Sequence, residues 1–260
     1  MTSEDPFAPP AAPPAAAHVV PADRMALLTA YAGWLADAGT VRGLIGPREV
    51  PRLWDRHLLN CAILETMVPE GAAVADVGSG AGLPGLVLAI VRPDLRLTLI
   101  EPLLRRTAFL EEVATALDLG NVEVVRGRAD ALHGVRRFDV VTSRAVAPLE
   151  RLLGWSMPLV DPDGALIAMK GSSVDDEIAA AAPTLAALGC SAPTTTSLGD
   201  GLLESSTVAL RVAWADPARV SWPSAPTGSR GERSGDAAPR GGSRTGDSSG
   251  RRKRQGRRRA

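Results

Sequence analysis

The sequence predicts an α/β domain with a mostly parallel, doubly wound sheet, an antiparallel last strand and a helical segment in front. Three observations predict it. From residue 72 short apolar runs alternate with helical stretches, the first run ends in a glycine-rich turn, and the final apolar segment, 206–214, has no helix behind it.

In chain order, residues 1–17 are Pro and Ala with little to pack, so they are expected to be disordered. Residues 18–70 read as a helical N-terminal segment. Met25, Leu28, Tyr31, Ala32 and Leu35 recur at helical spacing up to Gly39, and a second helix is expected over 51–67, opening at Pro51 and stopping before Pro69. Residues 71–215 form the main domain. Its strands are expected at 74–77, 95–100, 122–125, 138–142 and 165–169, and its helices at 84–91, 103–119, 149–159 and 174–188. Strands alternating with helices imply crossover connections, hence parallel strands covered on both faces. Segment 206–214 then closes the sheet as an antiparallel edge. Residues 216–260 are Pro, Gly, Ser, Arg and Asp without periodicity, and are again expected to be disordered.

Composition narrows the class further. The chain has 260 residues, 45% hydrophobic and 3% aromatic, with 29 Lys+Arg against 29 Asp+Glu. That excludes a collagen, a disulfide mini-protein and a uniformly basic nucleic-acid binder. The neutral total hides an asymmetry: residues 223–260 carry 11 basic and 3 acidic side chains, a net +8, which leaves the body at −8. Cys61 and Cys190 make neither a metal-ligand spacing nor a disulfide framework, so no metal is expected and the compartment is a reducing one. Glu4 and Asp5 stand where a signal peptide would be basic, and the longest apolar run, 86–91, is far short of the ~20 residues that span a bilayer. A cytoplasmic, membrane-free protein is expected, acting as a monomer.

The chemistry concentrates in Asp76-Val77-Gly78-Ser79-Gly80-Ala81-Gly82-Leu83-Pro84-Gly85, where a buried strand enters a glycine-rich turn and then a helix. Glycines let the backbone approach a ligand, and a helix N-terminus offers unpaired N–H groups. Glu101, nineteen residues after Gly82, ends the next strand, where a carboxylate can accept from ribose hydroxyls. Gly80 to Gly85 also satisfies the dinucleotide pattern G-x-G-x-x-G. Asp76 favours S-adenosylmethionine instead, because a carboxylate beside the loop can organise the glycines and hold an ammonium. After the third strand Asp130 can accept from an adenine amino group, or equally cap the helix that follows. Ser143-Arg144-Ala145 after the fourth strand and Lys170-Gly171 after the fifth are the candidates for substrate contact.

What is missing there limits the acceptor. Position 143 onward reads Ser-Arg-Ala-Val rather than the Asn/Asp-Pro-Pro-aromatic turn used on exocyclic amines. C5 methylation of a pyrimidine needs a cysteine nucleophile after the fourth strand, and neither cysteine is near that segment in the sequence; the body has one lysine where ribose methylation commonly uses two. A ring nitrogen such as guanine N7 already carries a lone pair, so positioning and electrostatics suffice.

These residues resemble a known family, the bacterial 16S rRNA guanine-N7 methyltransferases called RsmG or glucose-inhibited division protein B. The resemblance covers roughly 45–171. It rests on Arg56-His57-Leu58-Leu59-Asn60, the glycine loop with its Gly-Leu-Pro-Gly ending, Arg92-Pro93, Ser143-Arg144-Ala145 and Lys170-Gly171. It implies a class I S-adenosylmethionine-dependent methyltransferase fold and transfer of a methyl group to N7 of guanine 527, in the 530 loop of 16S rRNA. Naked rRNA, the 30S subunit or its precursor would be the partner. It also implies cofactor contacts at Gly78, Leu83, Ala129, Asp130 and Arg144, beside Asp76, Gly80, Gly82 and Glu101 from the loop itself. Arg144 and Lys170 are the residues expected to matter for turnover. The chain departs from the family at 41–46, which lacks the usual Asn-Leu-Thr, and at Asn60, where Asp is common.

For RNA, Arg52, Arg56 and Asn60 fall at i, i+4 and i+8 of the second helix with His57 beside them, a polar stripe able to touch phosphates. Trp54 and Leu58 read as core. The tail places seven positive charges in the nine residues 251–259, which attract phosphate without reading sequence. Other readings of the chain are a small-molecule methyltransferase, a non-catalytic ribosome-assembly factor that keeps the pocket, and an NAD-linked oxidoreductase, disfavoured by Asp76 and by the lack of a Tyr-x-x-x-Lys pair.

Overall fold

The computed structural model describes residues 9–144 and 147–220. All of them fall in one compact unit, Met1–Ala225; the other unit, Pro226–Ala260, lies outside the described residues, and with it the basic tail, as do residues 1–8, Ala145 and Val146.

The strands are β1 (Ala73–Val77), β2 (Arg96–Glu101), β3 (Val122–Arg126), β4 (Phe138–Arg144), β5 (Val160–Lys170), β6 (Thr194–Leu198) and β7 (Thr207–Val212). They form one seven-stranded sheet in the order β3-β2-β1-β4-β5-β7-β6, parallel except for β7, which runs against both its neighbours. The helices are α1 (Ala16–Val19), α2 (Met25–Trp34), α3 (Leu59–Ala62), α4 (Gly85–Val91), α5 (Leu104–Ala116), α6 (Leu149–Ser156) and α7 (Val174–Leu188).

Alternation along the strands sorts their side chains into two cores. Val74, Leu97, Leu99, Val140 and Ile167 pack on one face with α2, α4, α5 and the rest of the N-terminal segment. Ala75, Ile100, Val141, Leu166 and Ala168 pack on the other with α6 and α7. Parity therefore fixes the direction of the polar residues at the strand ends. Asp76, Glu101 and Arg144 share the first face, and Lys170 belongs to the second.

The far edge of the sheet differs from the sequence expectation. Segment 206–214 does supply the antiparallel strand, but it lies inside the sheet, and the edge is β6. Thr194-Thr195-Thr196-Ser197 is exposed and lacks apolar alternation, so its pairing rests on backbone bonds and β-branching, which leave little hydropathy signal.

The N-terminal segment folds as a helical cap, though not with the expected second helix. A 3₁₀ stretch, Pro47–Arg52, passes into a wide π-turn, Leu53–Leu58, then α3 and a further 3₁₀ stretch, Ile63–Met67. Pro51 inside the run has no N–H to give, and the change of pitch turns His57 inward, to 9% exposure, instead of leaving it on a polar stripe with Arg52. Residues 9–17, expected to be disordered, lie along the cap: the Trp54 indole donates to the Pro10 carbonyl at 2.8 Å, and Ala16 is buried. A buried indole N–H needs an acceptor, and a proline carbonyl supplies one. Arg92 of the Arg-Pro turn bonds Glu65, Val68 and Asp94 at the base of the cap, away from the strand ends that carry Arg144.

Candidate active site

The turn after β1 is shaped from beneath. Asp76 is fully buried, and its Oδ2 accepts the Gly85 N–H at 3.0 Å while Oδ1 has no hydrogen-bond partner. Burial pushes its carboxyl up to about 7, with the Glu101 charge adding to the rise and the Gly85 hydrogen bond opposing it. Gly85 lies so close that a Cβ there would come 2.7 Å from Asp76 Oδ2. Gly82, at φ 98°, has a second reason to be glycine: a Cβ would stand 2.9 Å from the Tyr31 hydroxyl. That hydroxyl, on α2 of the cap, donates to the Ala81 carbonyl at 2.7 Å.

The free helix N-terminus expected here is already engaged. The Gly85 N–H goes to Asp76 and the Leu86 N–H to the Gly82 carbonyl at 2.8 Å, so the turn rather than the first turn of α4 faces outward. Glu101, 1% exposed, braces the turn from β2. It accepts the Gly80 N–H at 3.0 Å, the Leu103 N–H at 3.1 Å and the Arg106 guanidinium at 3.4 Å.

Three cavities open along the C-terminal edge of the sheet. A narrow one of about 150 Å³ is walled by Val77, Ile100, Pro102, Ala129 and Trp155, with Asp130 among its lining residues. Gly78 and Pro102 also line a second, of about 620 Å³, together with Gly80, Leu83, Glu101, His57 and Arg144. Arg144 lines a third as well, of about 610 Å³, with Arg56, Asn60, Met169, Lys170 and Glu177. An apolar slot with a half-exposed carboxylate suits a flat base with an amino group, and the polar cavity beside it, with Glu101 and Arg144, suits ribose hydroxyls and a carboxylate. The residues fit a nucleoside joined to an amino acid.

Of the expected cofactor residues, Gly78, Gly80, Leu83, Glu101, Ala129, Asp130 and Arg144 are brought together around the first two cavities. Asp76 and Gly82 lie behind the turn. Asp130 sits within a short 3₁₀ turn, Ala129–Leu132, and makes no cap hydrogen bond. Of the expected RNA contacts, Arg56 lines the third cavity and His57 the second, while Arg52 is exposed and lines none of the three. Lys170 is held: its Nζ donates to Glu177 of α7 at 2.7 Å and to the Ala147 carbonyl at 3.3 Å. Four residues escape a reading of the sequence: Trp155 and Glu177 line the cavities from α6 and α7, Tyr31 bonds the glycine turn from α2, and Glu49 bonds His57 from the 3₁₀ stretch. Among the described residues no group of His, Cys, Asp and Glu is disposed to hold a metal ion.

Strand order 3-2-1-4-5-7-6 with a reversed seventh strand, a glycine turn after β1 and an acidic end to β2 define a class I S-adenosylmethionine-dependent methyltransferase. A family model described as rRNA small subunit methyltransferase G matches residues 24–204. The chain is 65% identical over 222 residues to the ribosomal RNA small subunit methyltransferase G of a Nocardioides species, spanning 85% of this chain and 89% of that one. Proteins of the same description from Thermobifida fusca and Streptomyces avermitilis are 51% and 53% identical, over 75% and 76% of this chain and 86% and 84% of theirs. The chain belongs to the rRNA small subunit methyltransferase G family.

Proposed function

We propose that this chain transfers the methyl group of S-adenosylmethionine to N7 of guanine 527 in 16S rRNA, presented as rRNA, as the 30S subunit or as its precursor. Family membership carries the coarser part, methylation of ribosomal RNA. The observation that carries the rest is the position of Arg144, which lines both the cavity over the glycine turn and the cavity between β4, β5 and the cap. One cation thus borders the place for the cofactor and the place for the acceptor.

When bound, the cofactor supplies an electrophilic methyl group; the protein has to bring a nucleophile into line with it. Gly78, Gly80, Leu83 and Glu101 would hold the cofactor's ribose and amino-acid chain, and Ala129, Asp130 and Trp155 its base. Asp76 acts through the turn it organises. In the third cavity Arg56 and Arg144 offer fixed positive charge to phosphate or to a base edge. Asn60, 8% exposed, also lines this cavity, and its Nδ2 donates to the Arg56 carbonyl at 3.3 Å. Glu177, the carboxylate lining this cavity, is engaged by Lys170 and by the Leu149 N–H. An acceptor atom that needs no deprotonation, such as N7, matches that set. The Lys170–Glu177 pair serves to pin the start of α6 beside the cavity.

The test is incubation of the purified protein with labelled S-adenosylmethionine and undermethylated 30S subunits, with the methyl group mapped by nuclease digestion and mass spectrometry. N7-methylguanosine in the 530 loop is expected. No incorporation despite cofactor binding would overturn this reading in favour of a small-molecule methyltransferase or a silent assembly factor.

A further inference from the structure

We propose that Glu49 and His57 form a positioning relay which holds Arg144 in place through a single tautomer of the His57 ring; the functional part of this inference rests on the proposed methylation. Arg144 Nη2 stands 2.6 Å from His57 Nδ1, and His57 Nε2 stands 2.8 Å from Glu49 Oε2. A guanidinium has no acceptor and a carboxylate no donor, so the roles are determined: Nδ1 bears the lone pair that accepts from Arg144, and Nε2–H donates to Glu49. Two further hydrogen bonds fix the guanidinium. Nη2 donates to the Arg56 carbonyl at 3.2 Å and Nη1 to Cys61 Sγ at 3.5 Å.

Three of the five N–H donors of Arg144 are thereby engaged on the cap, and two remain for what enters the cavities on either side. Although its ring also lines the cavity over the glycine turn, His57 acts here through Arg144; it is a positioning residue. The relay joins β4 to the cap across 87 residues of sequence.

A second proton on His57 would put an N–H on Nδ1, facing the guanidinium, and the hydrogen bond between them would break. The groups that face the ring are Arg144 from β4, Glu49 and Arg56 from the cap, and, across the shared cavity, Glu101 and Arg106; Arg52 acts at longer range through Glu49. Burial and the charge of Arg144 lower the affinity of His57 for that proton, and Glu49 only partly offsets them. The neutral ring is therefore the resting form at pH 7, and acid is the condition that breaks the relay.

The experiment measures single-turnover methylation of undermethylated 30S subunits against pH for the full chain and three variants. Wild-type rate is expected to fall with a one-proton limb below about pH 6.5, the ordinary histidine value. His57→Ala is expected to lose about ten-fold or more in rate at pH 7, with little change in half-saturating 30S concentration, as for the removal of a hydrogen bond to a charged group. His57→Asn keeps an acceptor near Nδ1 but cannot ionise, so it should recover most of that loss and lack the acid limb. Glu49→Gln should move the limb to lower pH. An acid limb that persists unchanged in His57→Asn overturns the relay. A second measurement does not depend on turnover: nitrogen NMR of the labelled chain, with the His57 signals identified by their disappearance in His57→Asn from a protein of three histidines. Nδ1 without a proton and Nε2 with one at pH 7 supports the relay, and the opposite tautomer sinks it. Failure of wild type to methylate any rRNA would instead count against the proposed function.

Discussion

On the β1 side of Arg144 the crevice is built from backbone N–H groups bonded to two buried carboxylates, Asp76 and Glu101. On the β4 and β5 side it is built from side-chain pairs, Arg144 with His57 and Glu49, and Lys170 with Glu177. The difference is one of reach. In the first half the partners lie within one βαβ unit, and the glycines leave little freedom. In the second, Arg144 is tied to a cap residue 87 positions away in sequence, and Lys170 at the end of β5 to the side chain of Glu177 on α7. The first half should therefore fail by steric intrusion, as a fold, and the second by loss of a single charge, as an activity.

The largest expected effect is in the second half. Arg144→Ala should lower single-turnover methylation by about 10–100-fold, the equivalent of about 1.5–3 kcal/mol for hydrogen bonds to a charged group. Circular dichroism and an unchanged urea-unfolding midpoint should show the fold retained; wild-type turnover would remove Arg144 from the site. Next comes the first half. Gly85→Ala places a methyl 2.7 Å from Asp76 Oδ2 and should cost about 1–3 kcal/mol of stability in urea unfolding, whereas Gly120→Ala, with nothing within 4 Å, should be close to neutral. Equal effects of the two would erase the contrast between a packed turn and an open one.

Asp76 sharpens the comparison through pH. Its folded-state carboxyl, raised from 3.8 to about 7, binds a proton that the unfolded chain has released over that interval. Stability owed to this group therefore falls as pH rises from about 4 to 7, and relative to Asp76→Asn the wild type should lose stability on going from pH 5 to pH 8. A parallel pair of pH profiles would show Asp76 to be ionised throughout. Asp76→Ala should also weaken cofactor binding by about 1–3 kcal/mol in calorimetry, through the turn it braces. The smallest effect is expected from the basic tail, which belongs to neither half. Removing 223–260 should flatten the dependence of RNA affinity on salt, by about 0.7 in the logarithmic slope for each single-strand phosphate that the tail would otherwise neutralise. An unchanged slope would show the tail idle.

The same contrast explains what could be read from the residues alone. Five parallel strands, the glycine turn, Asp76 and Glu101 were legible because each is announced by apolar runs and turn chemistry within a few residues. Arg144 was legible from its place at a strand end. Glu49, Trp155 and Tyr31 were not, since no spacing rule connects a 3₁₀ stretch to the end of β4, or α6 and α2 to the loop after β1. Strand β6 was missed because Thr194 to Ser197 is exposed on both sides and shows no alternation. The stripe of Arg52, Arg56 and Asn60, with His57 beside it, assumes one regular helix, and Pro51 with the π-turn after it breaks that geometry.

The Tyr31 hydroxyl on the Ala81 carbonyl has a consequence for anyone dividing this enzyme into modules. A boundary drawn at residue 70, where helical cap gives way to sheet, passes cleanly between strands and helices yet cuts away the wall of the glycine turn. A fragment starting there would leave a backbone carbonyl bare and a gap over Gly82, so the sheet is not a minimal catalytic unit. Chimeras that exchange caps between relatives would need to carry a phenol at position 31, and the two parts are best regarded as one inseparable piece.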